Sequence, residues 1–455
     1  MGVYPASKDE PQNVSTRNNE PPSTVDAAKP GSTRNMGSDA KTAANSSAPP
    51  VAEDEEGGLV AWLQVAGCFF LYWNSLGLIN TFGVFQTFYE NDLLANMSSS
   101  AISWIGSIQM FLLMSVGIII GPLYDAGHCR LIIIAGTFLV VFGFMMTSVC
   151  KTYWQVILAH AICVGLGTSC LSIPSIAIVP QYFKVRRARA MSMATLGSCV
   201  GGTIYPLIFQ ELQPRIGFPW TVRLFGFISL AMCCFSLAVL RPRLHGGKRF
   251  KGVQSLIDPS AFNSSSFTVY AVGIFFTNVA WFVPVFYLQT YALNHGLEGQ
   301  GIALYLVAIL NAASIPGRIL LAMVSDKAGP LNTLAFITAA TGIVTFSWAA
   351  VQTGAGNIFF SVFYGFFSGS LVAVAPVVLA SFTTDLSRLG TRLGMVALLK
   401  GFGSLIGSPV AGAILARSGG YLGVQLFTGL CFMVTFAFLV ALRIILGGMT
   451  WNVRL

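Results

Sequence analysis

The 455-residue sequence predicts an all-α membrane protein with twelve transmembrane helices, arranged as two parallel six-helix halves. Three observations lead to this prediction: the composition, a series of long apolar segments, and a repeat between the halves. Hydrophobic residues make up 54% of the chain and charged residues 9%, and the mean hydropathy is +0.70. Soluble domains carry roughly 25% charged residues. Lipid must therefore cover the apolar surface, which excludes a soluble enzyme, a secreted disulfide scaffold and a disordered regulator.

Twelve apolar segments follow Gly57, and each is long enough to cross about 30 Å of hydrocarbon as a helix. Backbone groups in lipid must be paired within the chain, so these segments are predicted to be helices and not strands. The predicted spans 1 to 12 are 59–89, 101–123, 130–149, 153–179, 188–211, 219–240, 267–292, 300–323, 331–351, 356–382, 391–415 and 421–446.

The distribution of Lys and Arg predicts that both termini are cytoplasmic. Residues 1–56 are rich in Pro, Ser, Asn and Thr, and we expect them to form a disordered cytoplasmic tail. The outer loops then hold Lys151, Arg215 and Arg417, far fewer basic residues than the inner loops. The basic residues of the inner loops are Arg130, Lys184, Arg186, Arg187, Arg189, Arg241, Arg243, Lys248, Arg249, Lys251, Lys327, Arg388 and Arg392.

The longest inner loop, 241–266, is predicted to be a cytoplasmic linker between an N-terminal half, 57–240, and a C-terminal half, 267–455. Landmarks of the first half recur in the second at nearly one offset. This indicates two halves related by an axis along the membrane normal, with a substrate site between them near mid-depth. The repeated pairs are Gly197-Ser198-x-x-Gly201 and Gly403-Ser404-x-x-Gly407, Asp125 and Asp326, and Pro174 and Pro376, with offsets of 206, 201 and 202 residues.

The segment after span 2, Gly121-Pro-Leu-Tyr-Asp125-Ala-Gly127-His-Cys-Arg130, resembles the motif between helices 2 and 3 of the major facilitator superfamily. The resemblance implies the major facilitator fold and a transport function. It also implies that Asp125 and Arg130 brace neighbouring helix ends on the cytoplasmic side. The second basic residue usual in the motif is missing, and His128 and Cys129 are atypical.

Further motifs resemble the monocarboxylate-porter family, in its fungal branch. Animal lactate carriers have a lysine at the position of Asn80 and an aspartate at that of Ser314, whereas Arg318 matches an arginine of that family. Two of these three groups are absent, so the resemblance does not imply symport of lactate with protons. The motifs that carry it are Glu55–Trp62, Asn80–Phe85 and Gln181–Ala190.

Two cations inside predicted helices are the leading candidates for substrate binding. Arg318 in span 8 can hold a carboxylate through two hydrogen bonds; alternatively, it reaches the cytoplasmic surface or pairs with Asp326. Lys400 lies about ten residues into span 11. It is a second anion contact, a lysine that exchanges a proton, or a packing lysine that reaches backbone carbonyls.

Uncharged polar and aromatic residues complete the candidate substrate site. His160 in span 4 is a candidate proton relay or a residue that hydrogen-bonds a neighbour. The amide side chains can bind hydroxyls and carbonyls of a substrate, or they can join helices. The aromatic residues are candidate stacking surfaces or ordinary packing residues. These candidates are Asn74 and Asn80 in span 1, Asn278, Trp281, Phe282 and Gln289 in span 7, and Tyr364 in span 10.

Small residues and prolines are predicted to shape the helices that move. The motifs Gly197–Gly201 and Gly403–Gly407 let backbones approach each other closely. Pro174 and Pro376 lack a backbone donor and should bend spans 4 and 10. Asp125, Arg130 and Asp326 join these residues as the predicted gating and structural set.

The leading hypothesis is a secondary active or facilitative transporter that moves a small organic solute, an anion or a secondary metabolite, by alternating access, with export as one direction. The alternative is a non-transporting receptor for nutrients or metabolites on the same fold. The sequence has no Walker A pattern, metal-ligand spacing or nucleophile motif, so we expect no enzyme activity, no cofactor and no metal. Expected partners are a small-molecule substrate, protons as a candidate coupling ion and the lipid bilayer, with no nucleic acid. We expect a monomer in the plasma membrane, with the vacuolar membrane as the alternative.

Overall fold

The computed structural model describes residues 58–183, 187–243, 259–294, 300–383 and 389–447. The predicted tail, 1–56, and most of the predicted linker lie outside the described residues, and so do the side chains of Asp125, Arg187 and Arg189. The same holds for Lys184, Arg186, Lys248, Arg249, Lys251 and Arg388. The regular structure in the described ranges is helical, without strands.

The prediction of an all-α membrane protein is confirmed. The described ranges contain eleven stretches of helix that are long and apolar enough to cross a membrane, and one of them is long enough to cross twice. Their buried hydrophobic side chains form one continuous core. The helices are α1 Leu59–Leu93, α2 Ser99–Gly121, α3 Cys129–Thr147, α4 Tyr153–Gln181, α5 and α6 within Arg187–Val239, α7 Ser265–Asn294, α8 Leu306–Ala328, α9 Pro330–Ala350, α10 Gly354–Ser381, α11 Leu389–Ser418 and α12 Leu422–Gly447.

The helices α5 and α6 meet at Gly217, which has φ 78° and ψ 160° inside the Arg187–Val239 segment. At 1.5 Å per residue the segment would extend about 80 Å as one helix, more than twice the hydrocarbon thickness. Only glycine adopts this backbone conformation readily, and Pro219 can begin a helix because its missing N–H would be unpaired there in any case. The sequence predicted a connection of several residues, 212–218, but a single residue breaks the helix.

Helix α1 is longer than predicted and is not a uniform α-helix. It contains π-helical turns at Trp73–Gly77 and Tyr89–Leu93, so it continues past the predicted end at residue 89 and includes Glu90. We call the end of the bundle where α1 finishes and α2 begins the Glu90 end. The end where α2 finishes and α3 begins is the Arg130 end.

The glycines of the two predicted small-residue motifs lie against equivalent helices. A Cβ on Gly197 of α5 would lie 2.0 Å from the Phe69 carbonyl oxygen of α1. A Cβ on Gly407 of α11 would likewise lie 2.0 Å from the Val279 carbonyl oxygen of α7. Gly201 and Gly403 also face Trp73 and the Phe275 carbonyl oxygen, respectively. The pairs α1–α5 and α7–α11 are therefore in backbone contact at matching positions; their sliding during transport stays a prediction.

We predict that Gly407→Ala destabilises the protein by about 1–3 kcal/mol, because the new methyl group forces α7 and α11 apart. The measurement is the free energy of unfolding of purified protein in detergent. Gly121→Ala is the matched control, since a Cβ there meets no atom within 4 Å. Equal stability of Gly407→Ala and the control would contradict the close approach of these helices.

Candidate functional site

The α1–α6 set and the α7–α12 set contact each other at the Glu90 end through α1 and α7. The Thr87 and Thr290 hydroxyl oxygens are 3.1 Å apart, and the Thr290 hydroxyl lies within hydrogen-bonding distance of Glu90 Oε2, at 3.0 Å. A Cβ on Gly83 would lie 2.2 Å from the Val285 carbonyl oxygen, so the backbones are as close as a glycine permits. We call these five residues the α1–α7 seal.

Two further contacts close the same end of the bundle. The Ser100 hydroxyl of α2 donates to the Pro409 carbonyl of α11 at 2.8 Å. Tyr305, one residue before α8, donates to Glu211 Oε1 of α5 at 2.6 Å, and Arg215 pairs with the same carboxylate at 3.6 Å. The α1–α7 seal, the Ser100–Pro409 bond and the Tyr305–Glu211 bond therefore hold the α1–α6 set and the α7–α12 set together at the Glu90 end.

Arg318 joins the same two sets near the middle of α8. Its Nη1 donates to the Ser198 hydroxyl at 3.0 Å and to the Thr195 carbonyl at 3.3 Å, both on α5. The side chain is 8% exposed and forms no ion pair with Asp326. Both alternatives to a site role, exposure at the surface and pairing with Asp326, are therefore wrong for this structure.

One edge of the Arg318 guanidinium has no hydrogen-bond partner among the described residues. Both hydrogen bonds of the group use Nη1, and the buried Nε has no partner among the described residues. The Nε and Nη2 donors lie side by side in the plane of the group, which is the geometry that binds a carboxylate through two parallel hydrogen bonds. Arg318 is thus anchored on one side and unoccupied on the other.

Polar side chains from α1 and α8 lie beside Arg318 along its helix. Ser314, one turn away, donates to the Cys199 sulfur of α5 at 3.1 Å. A Cβ on Gly202 of α5 would lie 2.7 Å from Asn311 Oδ1 and 2.9 Å from Asn80 Cβ. We call Asn80, Asn311, Ser314 and Arg318 the polar junction; it lies where α1, α5 and α8 meet.

Asn80 and Lys400 are the half-buried candidates whose polar groups hydrogen-bond no other described residue. Lys400 precedes Gly401 of α11, and a Cβ on that glycine would lie 2.8 Å from the Ser115 hydroxyl of α2. This part of α11 therefore lies against α2, whereas Arg318 hydrogen-bonds to α5. The structure shows no contact between the two cations.

Three of the predicted substrate residues have their polar groups engaged by neighbouring helices. Asn74 accepts a hydrogen bond from the Tyr205 hydroxyl at 2.9 Å and donates to its own helix. His160 Nδ1 is 2.9 Å from the Tyr89 hydroxyl, and the Phe85 ring lies 4.7 Å from its imidazole. Tyr364 is fully buried and donates to the Trp281 carbonyl at 2.8 Å. These contacts favour a structural role for all three.

The α7 candidates have mixed surroundings. Asn278 donates to its own helix while its Oδ1 is buried without a partner, and Gln289 has a buried Oε1 without a partner. Phe282 is buried against Phe286, with ring centroids 5.7 Å apart, which favours packing. The half-buried Trp281 ring contacts only Phe282 among the aromatic rings of the described residues, at 5.1 Å.

The three charged members of the predicted gating and structural set lie at the Arg130 end. Asp125 ends the helical segment Gly117–Asp125, which continues α2, and the exposed Asp326 lies in the last turn of α8. Arg130 begins α3 and lines a surface pocket together with His128 and Arg241. The two prolines of the set, Pro174 and Pro376, lie inside α4 and α10 as expected.

Sequence reasoning missed several polar residues of the interior. The predicted span 1 ends at residue 89 and so excludes Glu90. Asn311 was not among the predicted site residues, although it lies on the same helix as Arg318. Gln109 of α2 and Asn357 of α10 are buried, and neither amide has a hydrogen-bond partner among the described residues. An amide in the middle of an apolar span was the available signal for Gln109.

Comparison with known proteins assigns this arrangement to a family. The family profile described as Major Facilitator Superfamily matches residues 63–361. The chain is 41% identical to the MFS-type transporter dbaD of Emericella nidulans, over 80% of this chain and 81% of that protein. It is 37% identical to the aspyridones efflux protein apdF of the same organism, over 85% and 79% of the two chains.

Solved structures show the same fold. The crystal structure of the nucleoside transporter NupG superimposes with a TM-score of 0.66 and covers 84% of this chain and 99% of that one. The sequence identity is 12%, so this similarity concerns the fold alone. The predicted major facilitator fold is thereby confirmed.

We predict that Asn74→Ala destabilises the protein whereas Asn80→Ala does not, although both residues lie on α1. The first removes a buried acceptor of Tyr205 and should lower the free energy of unfolding by about 1–3 kcal/mol. The second removes an amide without a hydrogen bond to any described residue and should leave stability within about 0.5 kcal/mol. Thermal unfolding of the two purified variants compares them; equal destabilisation would show that Asn80 has a structural role too.

Proposed function

The chain belongs to the major facilitator superfamily, and we propose that this transporter of small organic solutes exports an organic anion whose carboxylate binds Arg318. The observation that carries this proposal is the unoccupied Nε/Nη2 edge of a guanidinium that is otherwise buried. The relative apdF is an aspyridones efflux protein, which supports export and a secondary metabolite as the solute. The motif resemblances support the fungal branch of the monocarboxylate porters as the finer family.

The polar junction supplies the other contacts of the proposed site. Asn80 and Asn311 can bind hydroxyl or carbonyl groups of the solute on the side of α1 and α8, while Arg318 binds its carboxylate. Lys400 is the second proposed anion contact, from the side of α11. The site would then include residues of both proposed six-helix halves, 57–240 and 267–455.

Alternating access follows from the position of Arg318 between the halves. Its Nη1 holds α5, so a solute on the other edge of the same group affects a contact that joins the two halves. Rocking of the halves would break the contacts at the Glu90 end and open the site there. The structure, sealed at the Glu90 end, is in our proposal the state that binds solute from the Arg130 side.

The charge of the loops supports an orientation for this cycle. Arg130, Arg241, Arg243 and Lys327 are exposed at the Arg130 end, and Lys151, Arg215 and Arg417 are exposed at the other. The larger excess of basic residues in the predicted inner loops favours the Arg130 end as the cytoplasmic one. We propose a monomer in the plasma membrane with both termini cytoplasmic, so solute enters from the cytoplasm and leaves at the Glu90 end.

We predict that Arg318→Ala raises the solute concentration for half-maximal transport by about 10- to 100-fold, because a charge-assisted hydrogen-bond pair is lost. The assay is uptake of labelled carboxylated metabolites, with their methyl esters as neutral analogues, into inside-out vesicles that contain matched amounts of protein. Arg318→Lys should recover only part of the activity, because an ammonium group cannot form the fork.

The control for this experiment is Arg223→Lys. Arg223 likewise lies within a helix, where it is half-buried. Unlike Arg318, it has its Nε occupied, because Ser148 accepts from it at 3.0 Å, and its guanidinium lies 4.9 Å from the Trp220 ring centroid. This variant should transport as the wild type does. Transport of a carboxylate by Arg318→Ala at wild-type concentrations would remove Arg318 from the site.

We predict that Lys400→Gln weakens transport of dianionic solutes at least tenfold more than that of monoanionic ones, since it removes a second positive charge. Its thermal stability should equal that of wild type, because Lys400 pairs with no described residue. The measurement is the same vesicle assay with a mono- and a dicarboxylate of similar size. A uniform loss for both solutes, together with reduced stability, would identify Lys400 as a packing residue.

A further inference from the structure

Glu90 ends a chain of hydrogen-bonding groups that passes through the α1–α7 seal. Its Oε2 is 3.0 Å from the Thr290 hydroxyl, which is 3.1 Å from the Thr87 hydroxyl, which is 3.1 Å from the Gly83 carbonyl oxygen. Thr87 and Thr290 are each 5% exposed, so water is largely excluded from the two central groups. The chain starts on α1, crosses to α7 and returns to α1.

The number of hydrogens in this chain depends on whether Glu90 carries a proton. Three hydrogen bonds need three hydrogens, and the two threonine hydroxyls supply two. With an ionised Glu90, one of the three short oxygen–oxygen contacts has no hydrogen between its atoms. With a protonated Glu90, the chain is complete: Glu90 donates to Thr290, Thr290 to Thr87, and Thr87 to the Gly83 carbonyl.

The second oxygen of Glu90 identifies which atom carries the proton. Gln86 Nε2 donates to Glu90 Oε1 at 3.1 Å, so Oε1 is an acceptor in either protonation state. The hydrogen that completes the chain therefore belongs on Oε2, which faces Thr290. The protonated form thereby avoids a close contact between two oxygen atoms with no hydrogen between them.

Among the described residues, no cation faces Glu90. The groups that face it are the hydroxyl of Ser99 at the start of α2, Tyr287 on α7 and Tyr421 before α12, besides Gln86 on its own helix. Glu211, the other carboxylate that joins the two helix sets at this end, pairs with Arg215. A half-buried carboxylate without a countercharge gains stability by binding a proton, whereas Glu211 is compensated as an anion.

We propose that Glu90 is a proton-binding site whose occupied form closes the α1–α7 seal. Opening the seal breaks the Glu90–Thr290 hydrogen bond and hydrates the carboxylic acid, which then releases its proton to water at the Glu90 end. Closing the seal takes one proton up again from that side. The assignment of this side to the exterior rests on the proposed function; the proton site itself rests on the hydrogen-bond chain.

The test measures closure of the Glu90 end directly and needs no transported solute. Spin labels are placed on the exposed Met97 and Ser418, after Cys163 and Cys234, the two cysteines that are not buried, are replaced by serine. The distance distribution is measured in lipid nanodiscs from about pH 4 to about pH 9, a series that begins near the pKa of a free glutamic acid. As the pH rises and Glu90 loses its proton, the ratio of sealed to open molecules should fall by up to about tenfold per pH unit.

The variants separate Glu90 from other causes of a pH response. Glu90→Gln carries an amide N–H in place of the acid hydrogen and should stay sealed at every pH. Thr290→Val interrupts the chain without changing the size of the side chain and should stay mostly open even in acid. Asp92→Asn, which changes an exposed carboxylate two residues away, should respond as the wild type does.

A wild-type pH response in Glu90→Gln, or a wild-type distribution that does not change with pH, would overturn the proposal. Because the readout is a distance, it is independent of the vesicle assay. A pH response that depends on Glu90 in a protein that moves none of the tested solutes would leave the proton site standing and refute the proposed function alone. Transport without this response would do the reverse.

Discussion

The structure depends on one constraint: a polar group in hydrocarbon must find its partner inside the protein. Helices satisfy this for the backbone, which is why the described ranges contain long helices and no strands. Side chains satisfy it by bonding to their own helix or across a helix contact, as Asn74 and Tyr205 do. The polar groups that remain unpaired, such as Arg318 Nε, are therefore where a solute would supply what the protein does not.

The contacts between the two helix sets include backbone and hydroxyl groups as well as apolar rings, such as Phe82 of α1 and Phe286 of α7, whose centroids are 4.8 Å apart. Gly83 lies against a carbonyl of α7, and hydroxyls of Ser100 and Thr290 donate across the boundary. Such bonds break at modest cost when water or another partner replaces them. This suits an interface that has to open.

Most of the fold could be predicted from the sequence, because twelve apolar segments and helix formation in lipid leave few alternatives. The end of α1 could not, since hydropathy stops before Glu90, while the helix continues through residues whose partners come from α2 and α7. The site was predicted in part. Arg318 stood out as a charge in an apolar span, but whether Asn74 or Asn80 is unpaired depends on which helix lies opposite. That is a property of packing and not of local sequence.

The single-residue break at Gly217 has a mechanical consequence. Consecutive Cα atoms are 3.8 Å apart, so the facing ends of α5 and α6 cannot separate by more than a few ångströms. The two helices therefore form a tethered pair, and any force that Arg318 exerts on α5 is also transmitted to α6. A solute bound at mid-depth that displaces α5 would therefore displace the adjoining end of α6 as well.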